Sequence, residues 1–155
     1  MDHEKYMRAA LELAREAAEN GEVPVGCVVA SPEGGIIGRG RNRREEGRDA
    51  TAHAEIEAIR AACAALGGWN LSGCALFVTL EPCPMCAGAA INARLPRVVF
   101  GASDPKAGSC GSVTDLFALP YNHHPETVGG VLGGECAALL QDFFRALREK
   151  RAAKQ

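Results

Sequence analysis

Residues 75–94 read ALFVTLEPCPMCAGAAINAR, and this stretch decides the architecture. Ala75 to Leu80 is apolar and β-rich, the composition of a buried strand. Pro82 and Pro84 then stand where a helix begins, because the N–H they lack is one that a helix start leaves unpaired anyway. Pro84 to Arg94 follows as a helix of small residues. A strand feeding straight into a helix is the repeating unit of an α/β sheet. Cys83 and Cys86 sit at the junction, three apart and therefore on one helical face. The positive end of that helix favours thiolates, the form that binds metal.

The same alternation extends outward. Residues 3–19 are predicted as an amphipathic helix, with Met7, Ala10, Leu11, Ala14, Ala17 and Ala18 at helical spacing and Asn20-Gly21 as its stop. Strands are predicted at 25–30 and 36–41, joined by the turn 31–35. A charged loop covers 43–50, and a second helix runs from His53 to Leu66. A fourth strand covers 97–101, and a weak one 127–132. The last helix runs from Glu135 to about Lys150. Between them, 102–126 is a long loop with one short apolar run, 113–119. Loops longer than about 12–15 residues are uncommon unless functional, so this is the candidate substrate loop. The whole chain, 1–155, reads as one domain with a sheet covered by helices on both faces.

Thirty residues before Cys83 stands His53-Ala54-Glu55. His53, Cys83 and Cys86 make three zinc ligands, and no second Cys pair with metal spacing closes the shell. Structural zinc sites fill four positions with protein; catalytic sites use three and leave one for water. In mid-helix, side chains two apart diverge by about 200°, so His53 and Glu55 converge only if the metal lies over the helix end. Glu55 is then placed to handle the proton of an activated water. A zinc ion with two thiolates and a neutral imidazole is formally neutral, and it lowers the pKa of water towards 7. The two motifs together resemble the signature of zinc deaminases that act on nucleobases.

Composition narrows the class further. A hydrophobic fraction of 47% suits a chain with a real core, and no leader or apolar run long enough to span a bilayer is present, so the expected location is the cytoplasm. The cysteines number seven, an odd count. In a reducing compartment that means two metal ligands and several small buried hydrophobes, with Cys110, in a glycine-rich loop, the one expected to be exposed. A net charge of −2 excludes a generally basic nucleic-acid binder. Two local basic segments remain: 39–48, with Arg39, Arg41, Arg43, Arg44 and Arg48, and 145–155, with Arg145, Arg148, Lys150, Arg151 and Lys154. They are either solvated surface or a seat for a small folded RNA.

The segments EVPVG (22–26), TAHAE (51–55), TLEPCPMCAGA (79–89), RVVFGA (97–102), DPKAG (104–108), Asn122-His123 and the ending ECAALL (135–140) to DFFR (142–145) resemble the bacterial tRNA-specific adenosine deaminases. The resemblance covers roughly residues 5–150. It implies a three-layer α/β/α cytidine-deaminase-like fold with a mixed sheet of about five strands, a homodimer, and one zinc per subunit. It implies conversion of adenosine to inosine at the wobble position of a tRNA anticodon, on a flipped-out base. By position it assigns Asn42 to the target nucleotide, and Pro24 and Val25 to the pocket wall. It assigns the backbone of Ala54 and of Pro82-Cys83 to the reacting edge, and Asp104, Lys106, Asn122, His123, Phe144 and Arg145 to flanking anticodon nucleotides. Asn42 could instead cap a turn, and Phe144 could instead pack in the core. Arg41 departs from the family, many members of which carry an aromatic residue before the Asn; it is expected to reshape the pocket rim and add a phosphate contact.

Two other readings use the same residues. One is deamination of a free base or nucleoside, which needs neither the basic last helix nor the long loop. The other is an RNA-binding subunit with purely structural zinc, which has no use for Glu55.

Overall fold

The computed structural model describes residues 1–154. Among them are helices α1 (His3–Glu19), α2 (Ala54–Leu66), α3 (Pro84–Asn92) and α4 (Gly133–Ala153), and strands β1 (Gly26–Ala30), β2 (Ile36–Arg41), β3 (Ala75–Leu80), β4 (Arg97–Ala102) and β5 (Glu126–Val128). The strands form one mixed sheet in the order β2-β1-β3-β4-β5. β1 runs antiparallel to β2 and β3, while β3, β4 and β5 are parallel.

β1 and β3 are buried along almost their whole length because both faces of the sheet are covered. Val28, Phe77 and Val99 pack with Tyr6, Met7 and Leu11 of α1 and Cys136 of α4 on one face. Cys27, Val29, Leu76, Val78 and Val98 pack with Ala58 and Ala62 of α2 and Ala87 and Ala90 of α3 on the other. The α/β/α layering and the five-stranded sheet are those expected.

Several boundaries moved, for local reasons. α2 starts at Ala54, with His53 as its N-cap in extended geometry. α4 starts at Gly133, ahead of the apolar pattern that marks it in the sequence, and continues to Ala153. Lys150 and Arg151 in its last turn complement the negative helix end. β5 covers Glu126–Val128 rather than 127–132, because Gly129 and Gly130 turn the chain away, Gly130 with φ +85°. Gln155, the last residue of the basic segment 145–155, lies outside the described residues.

One close approach fixes where α2 sits, and with it His53 and Glu55. A Cβ on Gly40 of β2 would lie 2.2 Å from the carbonyl oxygen of Ala54 and 2.7 Å from the nitrogen of Ala58. Backbone cannot yield as a flexible side chain can. Gly40→Ala is therefore expected to destabilise by about 1–3 kcal/mol, the usual range for overpacking, read as a lower urea midpoint at unchanged m-value. A midpoint equal to wild type would show that α2 is free to shift.

Candidate metal centre and active-site cleft

His53 caps α2 with ψ 154°, and Cys83 caps α3 with ψ 175°. Neither is helical, so each side chain hangs off the start of its helix. This resolves the divergence of His53 and Glu55: the histidine lies before the first turn, and the glutamate is the second residue within it. The two helix starts meet at the carboxyl ends of β2 and β3, the end of an open α/β sheet where ligands usually bind.

Cys83 Sγ lies 3.6 Å from His53 Nδ1, and Cys86 Sγ lies 3.5 Å from the same nitrogen. The three donor atoms all lie within 4.8 Å of one another. Tetrahedral zinc with ordinary Zn–S and Zn–N bonds requires S···N separations of about 3.6 Å. The donor set fits zinc in both identity and spacing. As the residues stand, the hydrogen bond from the Cys86 thiol holds Cys83 well below the usual thiol range, to about 4. Cys86 is pushed up correspondingly, first by that hydrogen bond to Cys83 and then by burial. His53 is raised, chiefly by its hydrogen bond to Cys83.

Glu55 is 4% exposed. Burial pushes its carboxyl up to about 7, against the opposing pull of its own backbone hydrogen bond. A buried carboxyl poised near neutrality beside a three-donor cluster is the arrangement expected of a general acid–base, and it has no purpose in a structural site.

These groups open into a cleft of about 170 Å³. Val25, Asn42, His53, Ala54, Glu55 and Cys83 line it, and so does Asp104, which the resemblance assigns to flanking nucleotides rather than to the pocket. Asn42 also braces a turn: its Nδ2 donates to the carbonyl of Val23 at 3.3 Å and its Oδ1 accepts from the N–H of Arg44 at 3.1 Å. Pro82 is buried behind the lining, and its carbonyl accepts from the N–H of Ser109 at 2.8 Å. Lys106 and Asn122 are exposed. His123 donates from Nε2 to the carbonyl of Leu95 at 2.7 Å, which pins the loop. Phe144 is 40% exposed, with its ring edge-to-face on Phe143, so it is not core packing. Arg145 is exposed and paired with Asp142 at 2.6 Å. None of Lys106, Asn122, His123, Phe144 and Arg145 lines the cleft.

Two expectations are corrected. Arg41 is not on the pocket rim and offers no phosphate contact: it is 4% exposed and paired with Glu46 and Glu16. Its strand alternation turns it towards α1, which carries Glu16, while Glu46 reaches it from the turn that follows β2. Cys110 is not exposed but buried, at 7%. Its N–H donates to Glu81, which draws the glycine-rich segment inward.

Glu81 is the residue that sequence reasoning missed, together with Val23, Arg44, Leu80 and Ala107 of the lining. Its carboxylate accepts the N–H groups of Asp104 and Cys110 at 3.0 Å and of Ser112 at 3.1 Å, and the Ser112 hydroxyl. Burial works to raise Glu81, but these hydrogen bonds outweigh it and hold the carboxyl below its usual range. Residues 104–112 are thus wrapped around one carboxylate, and the long loop is a built wall of the cleft. The available signal was a lone acid between an apolar strand and Pro82.

The chain matches the MafB19-like deaminase family over residues 1–148. It is 50% identical over 151 residues to the tRNA-specific adenosine deaminase of Bacillus subtilis, covering 97% of this chain and 93% of that one. It is 54% identical over 145 residues to a tRNA(Ile)-lysidine synthase of Deinococcus deserti; there it covers 94% of this chain but spans only 27% of the relative's length. A protein solved in a study of A-to-I editing by tRNA:A34 deaminases superimposes with a TM-score of 0.84 at 47% identity, over 88% of this chain and 99% of the other.

Proposed function

This chain belongs to the MafB19-like deaminases and, among them, to the bacterial tRNA-specific adenosine deaminases, and from that membership we propose that it converts adenosine to inosine at the wobble position of a tRNA anticodon. The observation that carries the reading is the buried carboxyl of Glu55 beside the three-donor cluster, at the floor of a cleft walled by the 104–112 segment.

His53, Cys83 and Cys86 would hold one zinc ion per subunit. When bound, zinc acidifies a water and so supplies a nucleophile at neutral pH. Glu55 takes a proton from the attacking water as the water oxygen adds to C6 of the adenine. Glu55 then returns the proton to the departing amine, so that adenosine and water give inosine and ammonia. Glu55, in the first turn of α2, is not one of the three grouped donors and would stay free to carry the proton. Asn42 retains one N–H and one lone pair for the nucleotide after its two internal bonds. Val25 and Ala54 form the apolar wall against the base. The exposed positions Lys106, Asn122, Phe144 and Arg145, with half-buried His123, meet flanking nucleotides, outside the pocket for the base itself.

The protein acts as a homodimer in the cytoplasm. The dimer reading is supported by exposed Val113, Leu119 and Tyr121, which flank the short turn Leu116–Ala118 packed against the small-residue helix α3. Among the described residues no helix is long and apolar enough to cross a membrane.

The test is inosine formation by zinc-loaded protein on an adenosine-containing anticodon stem-loop, with free adenosine, cytidine and guanine assayed alongside. Inosine in the RNA and no turnover of the free compounds is the expected result. Turnover of a free base or nucleoside alone would keep the chemistry and overturn the substrate.

A further inference from the structure

Asn42 and Arg44 line the cleft from a turn that is otherwise almost wholly exposed. What holds this turn is a set of charges beneath it. Glu22, 1% exposed, accepts the N–H groups of Glu45 at 3.0 Å and Glu46 at 2.7 Å. Arg41 joins three separate parts of the chain: its Nη1 pairs with Glu46 at 2.5 Å and donates to the carbonyl of Asn42 at 3.2 Å, and its Nε lies 3.6 Å from Glu16 of α1. Arg41 Nε is a buried side-chain atom with no hydrogen-bond partner among the described residues. A guanidinium buried with an unsatisfied N–H is a poor way to stabilise a strand end, where an apolar residue would serve as well or better. Its contacts instead converge on the turn that carries Asn42.

We propose that Arg41 is a positioning residue, which through Glu46, Glu16 and the Asn42 carbonyl fixes the 42–49 turn so that Asn42 meets the substrate in one orientation. This rests on the deaminase reading for its kinetic consequence, though not for its structural one. Glu22 and Arg41 hold the same residue, Glu46, one through its N–H and the other through its carboxylate, which Arg43 also approaches at 3.5 Å. Loss of Arg41 removes the turn's tie to α1 and leaves it held by Glu22, by the Arg43–Glu46 pair and by the backbone bonds of Asn42 to Val25 and of Arg43 to Ala52, so that its tip at 45–49 loosens. The cleft residue nearest the pivot is Asn42, so substrate binding suffers and the proton transfers at Glu55 do not.

Arg41→Met is the test. Glu16 and Glu46 have side chains 53% and 39% exposed, so water replaces the lost partner and the fold stands. Amide exchange at Glu45, Glu46, Gly47 and Asp49 is expected to accelerate about tenfold or more, with β1 and β3 amides unchanged. On the anticodon stem-loop, KM is expected to rise about tenfold with kcat within about twofold. Arg41→Lys, which keeps a charge at the same site, should recover part of both. Unchanged exchange in the turn, or a fall in kcat at unchanged KM, would overturn the proposal. If wild-type protein leaves the stem-loop untouched, the functional reading falls, and the exchange comparison alone decides the clamp: faster in Arg41→Met supports it, unchanged overturns it.

Discussion

Glu55→Gln is expected to lower kcat for deamination by about 10²–10⁴-fold, the range that general acid–base catalysis supplies, while zinc content stays at one per chain. The substitution keeps the shape of the side chain and removes only its ability to carry a proton. It leaves all three donors, His53, Cys83 and Cys86, in place. Zinc by elemental analysis and inosine by chromatography check the two halves. Unimpaired deamination would remove Glu55 from the mechanism, and lost zinc would place it among the ligands. The same variant has a signature in zinc-free protein. The Glu55 carboxyl lies at about 7 in the folded chain against 4.5 ordinarily. Between those values the folded state keeps a proton that the unfolded state has released. The contribution of Glu55 to stability therefore falls as pH rises from about 4.5, and its loss is complete above about 7. Gln cannot ionise, so zinc-free Glu55→Gln should gain over wild type in urea midpoint at pH 8 and show no gain at pH 4.

Cys83→Ala is expected to abolish both zinc binding and activity. Two donors cannot hold the ion at a catalytic site that already leaves one position to water. For wild-type protein, chelation should lower Tm by on the order of 10 °C, from about 4 kcal/mol of binding linkage at a thousandfold excess of metal over Kd and a few degrees per kcal/mol at this chain length. In Cys83→Ala the chelator should shift Tm by nothing. Normal zinc content in that variant would take Cys83 out of the ligand set.

The parts of the site legible in the sequence share one property, which is that their meaning is local. Cys83 and Cys86 share a face because a helix repeats every 3.6 residues, and Pro84 shows where that helix starts. His53 and Glu55 required the helix to begin between them, and it does. β1 and β3 were readable because buried strands are continuously apolar, whatever their neighbours. β5, three residues long, carried too little pattern to place.

What the sequence by itself determined is the set of candidate groups: three residues able to hold a metal, one carboxylate, and the α/β alternation that carries them to strand ends. Only the tertiary structure decided what surrounds that chemistry. Glu81 looks like a surface acid until 104–112 wraps around it, and Arg41 looks like a phosphate contact until Glu16 and Glu46 close on it. Cys110 looks exposed until Glu81 takes its N–H. In each case the partner lies more than four residues away in sequence. A charged side chain is free to choose solvent or a distant partner, and that choice is made by the desolvation and pairing that packing imposes, which no local spacing encodes.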